Sequence, residues 1–161
     1  MTVSIRPASS ADLPLIAGLI RDLAEYEKLA HEVRFDEAVL HEKLFGPRPY
    51  AEVVIGELDG VAQGFALFFH NFSTFEGKPG IYLEDLFVRP EARGSGLGKA
   101  LLAHLAMLAT TRDCARLEWS VLDWNEPAIG FYRKLGARLM DDWTVMRLDS
   151  ANLAQLGAEA R

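Results

Sequence analysis

The sequence has very little cysteine. Cys114 is the single cysteine among 161 residues, so an internal disulfide is impossible and zinc sites built from several cysteines are excluded. The four histidines are scattered and show no spacing typical of a metal site. We therefore expect no bound metal.

Long apolar runs and an excess of positive charge are also missing. No apolar stretch reaches the roughly 20 residues of a membrane-spanning helix, and the first residues lack the apolar core of a signal peptide. The formal net charge is −6, which disfavours nucleic-acid binding because phosphates are neutralised by basic surfaces. These absences predict a cytoplasmic protein with neither a membrane nor a nucleic acid as partner.

The remaining composition is ordinary for a globular protein, with 50% apolar and 25% charged residues. A chain of this length is most simply one domain, residues 1–161, with a substantial core. The apolar periodicity predicts alternating strands and helices, and Asp59-Gly60 between two β-rich runs predicts a hairpin. The order indicates a mixed α/β domain. Predicted strands cover 3–6, 51–57, 61–70, 81–88, 116–122, 138–140 and 143–148.

The predicted helices are marked by apolar stripes and by capping residues. One follows the first strand, a shorter one covers residues 35–45, and a third runs to about Arg112. Asn125 is a good cap for a fourth helix that Gly136 ends. For the tail, residues 150–161, the sequence predicts a weak or frayed helix.

The most informative stretch is the strand at 81–88 with the turn after it. Pro90 ends the strand, and Arg93 precedes glycines at alternate positions, Gly94, Gly96 and Gly98. A helical pattern begins at Leu97. A flexible turn before a helix N-terminus collects free N–H groups and the positive end of the helix dipole, which suits a phosphate or pyrophosphate.

Two common phosphate-binding patterns do not fit this turn. A Walker loop requires serine or threonine after Gly98-Lys99, but Ala100 follows. A Rossmann fingerprint counted from Gly94 requires a third glycine where Lys99 stands.

A third pattern fits. The turn resembles the pyrophosphate loop of the GNAT acetyltransferases, whose pattern Gln/Arg-x-x-Gly-x-Gly/Ala is met by Arg93, Gly96 and Gly98. The resemblance covers nearly the whole chain. Within that superfamily, three segments are most similar to the diamine/polyamine acetyltransferases, a group that includes the thialysine acetyltransferases: residues 82–88, 124–127 and 131–137.

The resemblance implies a fold and a cofactor. The expected fold is a mixed, mostly antiparallel sheet of about six to seven strands, with splayed central strands and about four flanking helices. The expected cofactor is acetyl-CoA, the expected partner is a small amine, and the expected assembly is a homodimer. The implied cofactor-binding residues are Leu86, Phe87, Val88, Arg93, Gly94, Ser95, Gly96, Leu97, Gly98, Lys99, Asn125, Ala128 and Tyr132.

The resemblance also implies catalytic residues, and the chemistry agrees with them. An aliphatic amine is mostly protonated at neutral pH, so a carboxylate must bind the cation and remove its proton. Glu84 matches the family position for this role. Strand alternation predicts that Glu84 and Asp85 point to opposite faces, so only one of them can face the reaction directly. Tyr132 is suited to protonate the leaving thiolate, and the implied substrate-binding residues are Tyr26, Glu27, Glu84 and Asp141.

Two other functions remain open on the sequence. The same chemistry can serve a protein N-terminus or lysine, although the acidic region at Tyr26 and Glu27 disfavours a peptide groove. A CoA-binding module without catalysis is the other alternative, which the presence of both Glu84 and Tyr132 disfavours.

Overall fold

The structure is a computed structural model that describes all residues, 1–161. The chain divides into two compact units, Met1–Ser120 and Val121–Arg161, which are described separately. None of its helices is long and apolar enough to cross a membrane.

The first unit is built on one five-stranded sheet. Its strands lie in chain order, with the first four antiparallel and the last parallel to its neighbour. Asp59 and Gly60 both have positive φ between the second and third strands, which confirms the predicted hairpin. The strands are β1 (Val3–Pro7), β2 (Glu52–Leu58), β3 (Val61–Ser73), β4 (Lys78–Val88) and β5 (Leu117–Trp119).

Helices α1 (Leu13–Tyr26) and α2 (Glu37–Phe45) cover one face of the sheet. Their apolar residues pack with inward-facing residues of β2, β3 and β4 into one buried cluster. The cluster consists of Ile16, Leu19, Leu23, Leu44, Val53, Ile55, Phe65 and Phe87. The apolar stripe that predicted α1 is therefore the side that the helix buries.

Helix α3 (Leu97–Thr111) packs on the opposite face. Ile55 belongs to this buried cluster, which we call the α1 cluster. Its neighbour Gly56 therefore points to the other face of the sheet. A Cβ at Gly56 would lie 2.9 Å from Leu97 Cδ1, so the helix approaches the strand as closely as a glycine allows. This contact fixes the start of α3, and thus the turn before it, against β2.

The second unit contains α4 (Glu126–Lys134) and α5 (Ser150–Gly157). The side chain of Asn125 caps α4 by accepting from the N–H of Ala128. Gly136 follows with φ of +96°, so both predicted ends of this helix are confirmed. The tail forms α5, and the chain has five α-helices where about four were expected.

The predicted strands at 138–140 and 143–148 are wrong for this structure. No strand follows β5, so the sheet has five strands and not six or seven. β5 is also shorter than the predicted 116–122. A strand requires a neighbouring strand to pair its backbone groups, and no strand pairs with residues 137–149. Their apolar side chains are exposed, Trp143 by 79% and Met146 by 89%.

The close approach of α3 to β2 gives a matched pair of substitutions. We expect Gly56→Ala to destabilise the fold by about 1–3 kcal/mol, because the new methyl group would clash with Leu97. Gly18→Ala on α1 meets no atom within 4 Å and should stabilise the fold by up to about 1 kcal/mol. Urea denaturation of both variants measures the difference. Equal effects of the two substitutions would contradict this packing.

Candidate active site

Strand β4 carries a β-bulge at its centre. Leu83 pairs with Phe68 of β3, and Asp85 pairs with Leu67, so Glu84 is an extra residue without a partner in the register. A bulge of this kind interrupts the strand's alternation and redirects the side chains beside it.

The bulge changes which side chains face which layer. The Arg112 guanidinium, directly after α3, lies 6.0 Å from the ring centre of Phe68, so Leu83, which pairs with Phe68, belongs to the α3 face. Leu67 packs against the α1 cluster, so Asp85, which pairs with Leu67, belongs to the α1 face. The uninterrupted alternation assumed from the sequence therefore does not hold between Leu83 and Asp85.

The two neighbouring carboxyl groups have different surroundings. Glu84, the predicted catalytic residue, is exposed, whereas Asp85 is half-buried. Burial, together with the nearby charges of Glu84 and Glu27, raises the pKa of Asp85 to about 7. Burial also raises the pKa of Glu27, which caps the C-terminus of α1. Carboxyl groups from two elements, Glu84 on β4 and Glu27 at the end of α1, thus act on Asp85.

The edge of β4 beyond the bulge is open. β5 accompanies β4 only from Ile81 to Leu83, and residues 84–88 have β3 on one side and no strand on the other. This separation agrees with the expected splay of the central strands. The backbone edge at Leu86, Phe87 and Val88 therefore has no strand beside it, and such an edge can pair with an extended ligand.

The turn after β4 leads directly into α3. A 3-10 turn, Pro90–Ala92, follows the strand, and Gly94 and Gly96 then take φ of +80° and +88°. Only glycine adopts these angles at low cost, and a Cβ at either residue would meet no atom within 4 Å. Ser95 is held inside the turn, because its hydroxyl donates to the Ala92 carbonyl at 2.6 Å. The outer side of the turn is therefore open.

This turn presents backbone donors outward. Gly98 and Lys99 lie in the first turn of α3, where an N–H group has no carbonyl partner within the helix. The helix dipole adds positive potential at the same end. Open space, positive-φ glycines and free amides together fit a diphosphate group.

Arg93 connects this turn to the end of α1. Its guanidinium lies 4.4 Å from the ring centre of Tyr26 and 5.8 Å from that of Phe87, and its Nε donates to the Val88 carbonyl at 3.2 Å. The predicted cofactor residues Arg93, Phe87 and Val88 and the predicted substrate residue Tyr26 are thus in contact through one side chain.

A cavity of about 390 Å³ lies beside this contact. Its walls combine the rings of Tyr26 and Phe87 with several charged side chains, among which Asp22 and Arg89 lie 3.5 Å apart. The remaining wall residues are Glu25, Pro90 and Glu91. An aromatic wall with acidic neighbours suits a cationic, partly aliphatic ligand.

The other predicted site residues lie in the second unit. Asn125 is buried, and Ala128 and Tyr132 follow it on α4 at spacings that share one helix face. The rings of Tyr132 and Phe131 lie 5.4 Å apart. Asp141 is exposed in a turn after this helix.

Two features of the site were not foreseen from the sequence. One is the environment of Asp85, which the acidic pair inside an apolar strand could have indicated, because an unpaired buried carboxyl group is costly. The other is the stacking of Arg93 on Tyr26. Since 66 residues separate these two along the chain, no local pattern indicates that contact.

Comparisons with known proteins agree with this geometry. A profile of the acetyltransferase (GNAT) family matches residues 18–137. The chain is similar to the thialysine N-epsilon-acetyltransferase of Bos taurus, with 35% identity over 98% of each chain. It is also similar to an L-ornithine N5-acetyltransferase of Arabidopsis thaliana, with 32% identity over 89% of this chain and 83% of the relative. Among solved structures, an integron cassette protein of V. cholerae matches with a TM-score of 0.80 and 28% identity over 99% of each chain.

Proposed function

Because the chain belongs to the acetyltransferase (GNAT) family and is an N-acetyltransferase, we propose that it transfers acetyl from acetyl-CoA directly to a small cationic primary amine. The acceptor is a diamine, a polyamine or a lysine-like amino acid such as thialysine, and residues 1–161 act as one catalytic domain. The observation that carries this proposal is the continuity of β4, the turn and α3. One stretch holds both the acidic bulge and the glycine turn.

The residues of the turn fit acetyl-CoA, which supplies the acetyl group as a reactive thioester when it is bound. The amides from Gly94 to Lys99 would hold the pyrophosphate, supported by the positive φ of Gly94 and Gly96 and by the N-terminus of α3. The backbone edge at Leu86, Phe87 and Val88, which has no strand beside it, would pair with the pantetheine arm.

Residues of the second unit complete the proposed set. Asn125 and Ala128 would contact the cofactor at the start of α4, and Tyr132 would lie near the sulfur. The phenol of Tyr132 would protonate the leaving thiolate, since a thiol forms when the C–S bond breaks.

The acceptor side needs negative charge, which the first unit provides. Glu84 is exposed at the bulge, and Glu27 follows Tyr26 at the end of α1, so their carboxylates would attract an ammonium group. Asp141 would contact the distal part of the substrate. In the overall reaction, the nitrogen bonds to the acetyl carbon and gives up two protons, of which one reaches the thiol sulfur and one reaches solvent.

The names of the relatives support this acceptor class. One is named for acetylation of thialysine at its epsilon nitrogen, and the other for acetylation of L-ornithine at N5. Each name places the reaction on a primary amine at the end of a cationic amino-acid side chain. This chain's acidic balance of −6 is compatible with such an acceptor.

We also propose that the protein is a cytoplasmic homodimer. The support for the dimer is the apolar segment of residues 137–149, whose Trp143, Val145 and Met146 are 79%, 83% and 89% exposed. Exposed large apolar side chains in a contiguous segment are typical of a surface that a protein partner covers.

An amine panel tests the acceptor class. We expect turnover with thialysine, ornithine, lysine, putrescine or spermidine at a kcat/KM at least about tenfold above that for a lysine-containing peptide. Thiol release measures the rate, and mass spectrometry identifies the acetylated nitrogen. Turnover on the peptide alone would favour protein acetylation. Tight CoA binding without any transfer would favour a non-catalytic module.

Tyr132→Phe tests the proposed acid. We expect kcat to fall on the order of 100-fold, because the leaving sulfur loses its proton donor while the ring and its packing remain. Affinity for CoA, measured by calorimetry, should change much less. Tyr50→Phe makes the same chemical change at an exposed tyrosine between α2 and β2 and should leave kcat unchanged. An unaltered kcat in Tyr132→Phe would exclude the acid role.

The oligomeric state is measured by light scattering after size exclusion. We expect the mass of two chains for the wild type, and a shift toward one chain for the double variant Trp143→Glu, Val145→Glu, because two charges would replace exposed apolar contacts. Asp142→Asn, in the same segment of residues 137–149, serves as the control. A wild type with the mass of a single chain at micromolar concentration would disprove the dimer.

A further inference from the structure

Asp85 is a carboxyl group without a partner. It is half-buried on the α1 face of the sheet, yet it forms no hydrogen bond and no ion pair in the described chain. Its oxygens are not sealed from solvent, since the only fully enclosed unpaired side-chain oxygen belongs to Gln63. A buried carboxyl group left unpaired costs stability, which suggests a use for it.

The charged groups acting on Asp85 are all negative. Glu84 adjoins it on β4, and Glu27 acts on it from the end of α1. On β3 it faces the apolar Leu67. Arg93, a cation of the turn, is engaged by the rings of Tyr26 and Phe87 and by the Val88 carbonyl. This arrangement favours the arrival of a cation or of a proton.

A protonated amine substrate supplies both the cation and the proton. A Lys-type ammonium has a pKa near 10, so a carboxylate with an ordinary pKa near 4 removes its proton very unfavourably. With a pKa of about 7, Asp85 makes that transfer about a thousandfold more favourable than an unshifted aspartate would. The neighbouring Glu84 is exposed, whereas Asp85 is turned into the α1 layer.

We propose that Asp85, rather than Glu84, is the catalytic residue that accepts the amine's proton, and that Glu84 and Glu27 hold the cation beside it. This inference rests on the proposed function. In the step, a proton moves from the ammonium nitrogen to an Asp85 oxygen, and the free amine then bonds to the acetyl carbon as the C–S bond breaks. Asp85 passes its proton to solvent before the next turnover.

The adjacent variants Asp85→Asn and Glu84→Gln test the proposal, because each removes one charge with little change of shape. With one good amine from the panel, wild-type kcat/KM should rise through a pH near 7 as Asp85 ionises. Asp85→Asn should lower kcat by at least about 100-fold and remove that rise. Glu84→Gln should raise KM for the amine and keep the rise, moved to lower pH because a neighbouring negative charge is gone.

The opposite result would overturn the proposal, namely that Glu84→Gln loses the rise near pH 7 while Asp85→Asn keeps it. If the wild type is active and the rise of kcat/KM near pH 7 persists in Asp85→Asn, the role of Asp85 is disproved while the proposed function stands. A wild type inactive on every amine would overturn both this inference and the proposed function.

Thermal stability gives a readout that does not depend on activity. The folded-state pKa of Asp85 lies above its unfolded value, so its contribution to stability is fully present below about pH 4 and is lost as the pH rises through about 7. The melting temperature of Asp85→Asn minus that of the wild type should therefore increase between pH 4 and pH 8. The same comparison for Asp142→Asn, an exposed aspartate, should stay flat. A flat difference for Asp85→Asn would contradict the proposed state of this carboxyl group.

Discussion

The bulge at Glu84 is the constraint on which the acceptor side of the site depends. Upstream of it, odd-numbered residues of β4 face α3, and downstream they face α1. Unbroken alternation after Leu83 would turn Glu84 into the α1 layer, and the added residue places Asp85 there instead. The same strand loses its β5 neighbour at this point, so the change of face and the open backbone edge coincide. The bulge lies in the pairing of β4 with β3, and the open edge lies on the side of β4 that β5 leaves.

The glycine turn depends on the packing of α3. Gly56 lets the helix start approach β2 closely, and Gly94 and Gly96 let the chain reverse into it without strain. Arg93 then ties the turn to the end of α1 by stacking on Tyr26. As a result, the surface suited to a diphosphate and the surface suited to an ammonium group are held by one connected set of contacts within the first unit.

The carboxy-terminal segment shows the limit of pattern alone. Residues 138–148 have the apolar, β-branched character of strands, yet they remain unpaired and their large side chains face solvent. Strand propensity describes how well a residue fits a pleated, half-buried surface, and it cannot supply the neighbouring strand. By contrast, α4 formed between the expected cap and the expected glycine because both signals act within the helix itself.

The sequence by itself determined the features that local chemistry controls: the hairpin at Asp59-Gly60, the ends of α4, the turn of alternate glycines and the family to which they point. These depend on residues a few positions apart, whose backbone preferences hold in any context. Only the tertiary structure decided how Glu84 and Asp85 are turned, that Glu27 acts on Asp85, and that Arg93 stacks on Tyr26. Each of these requires elements distant in sequence to meet, and a bulge leaves no local pattern, because the register is settled by which strand packs on which layer.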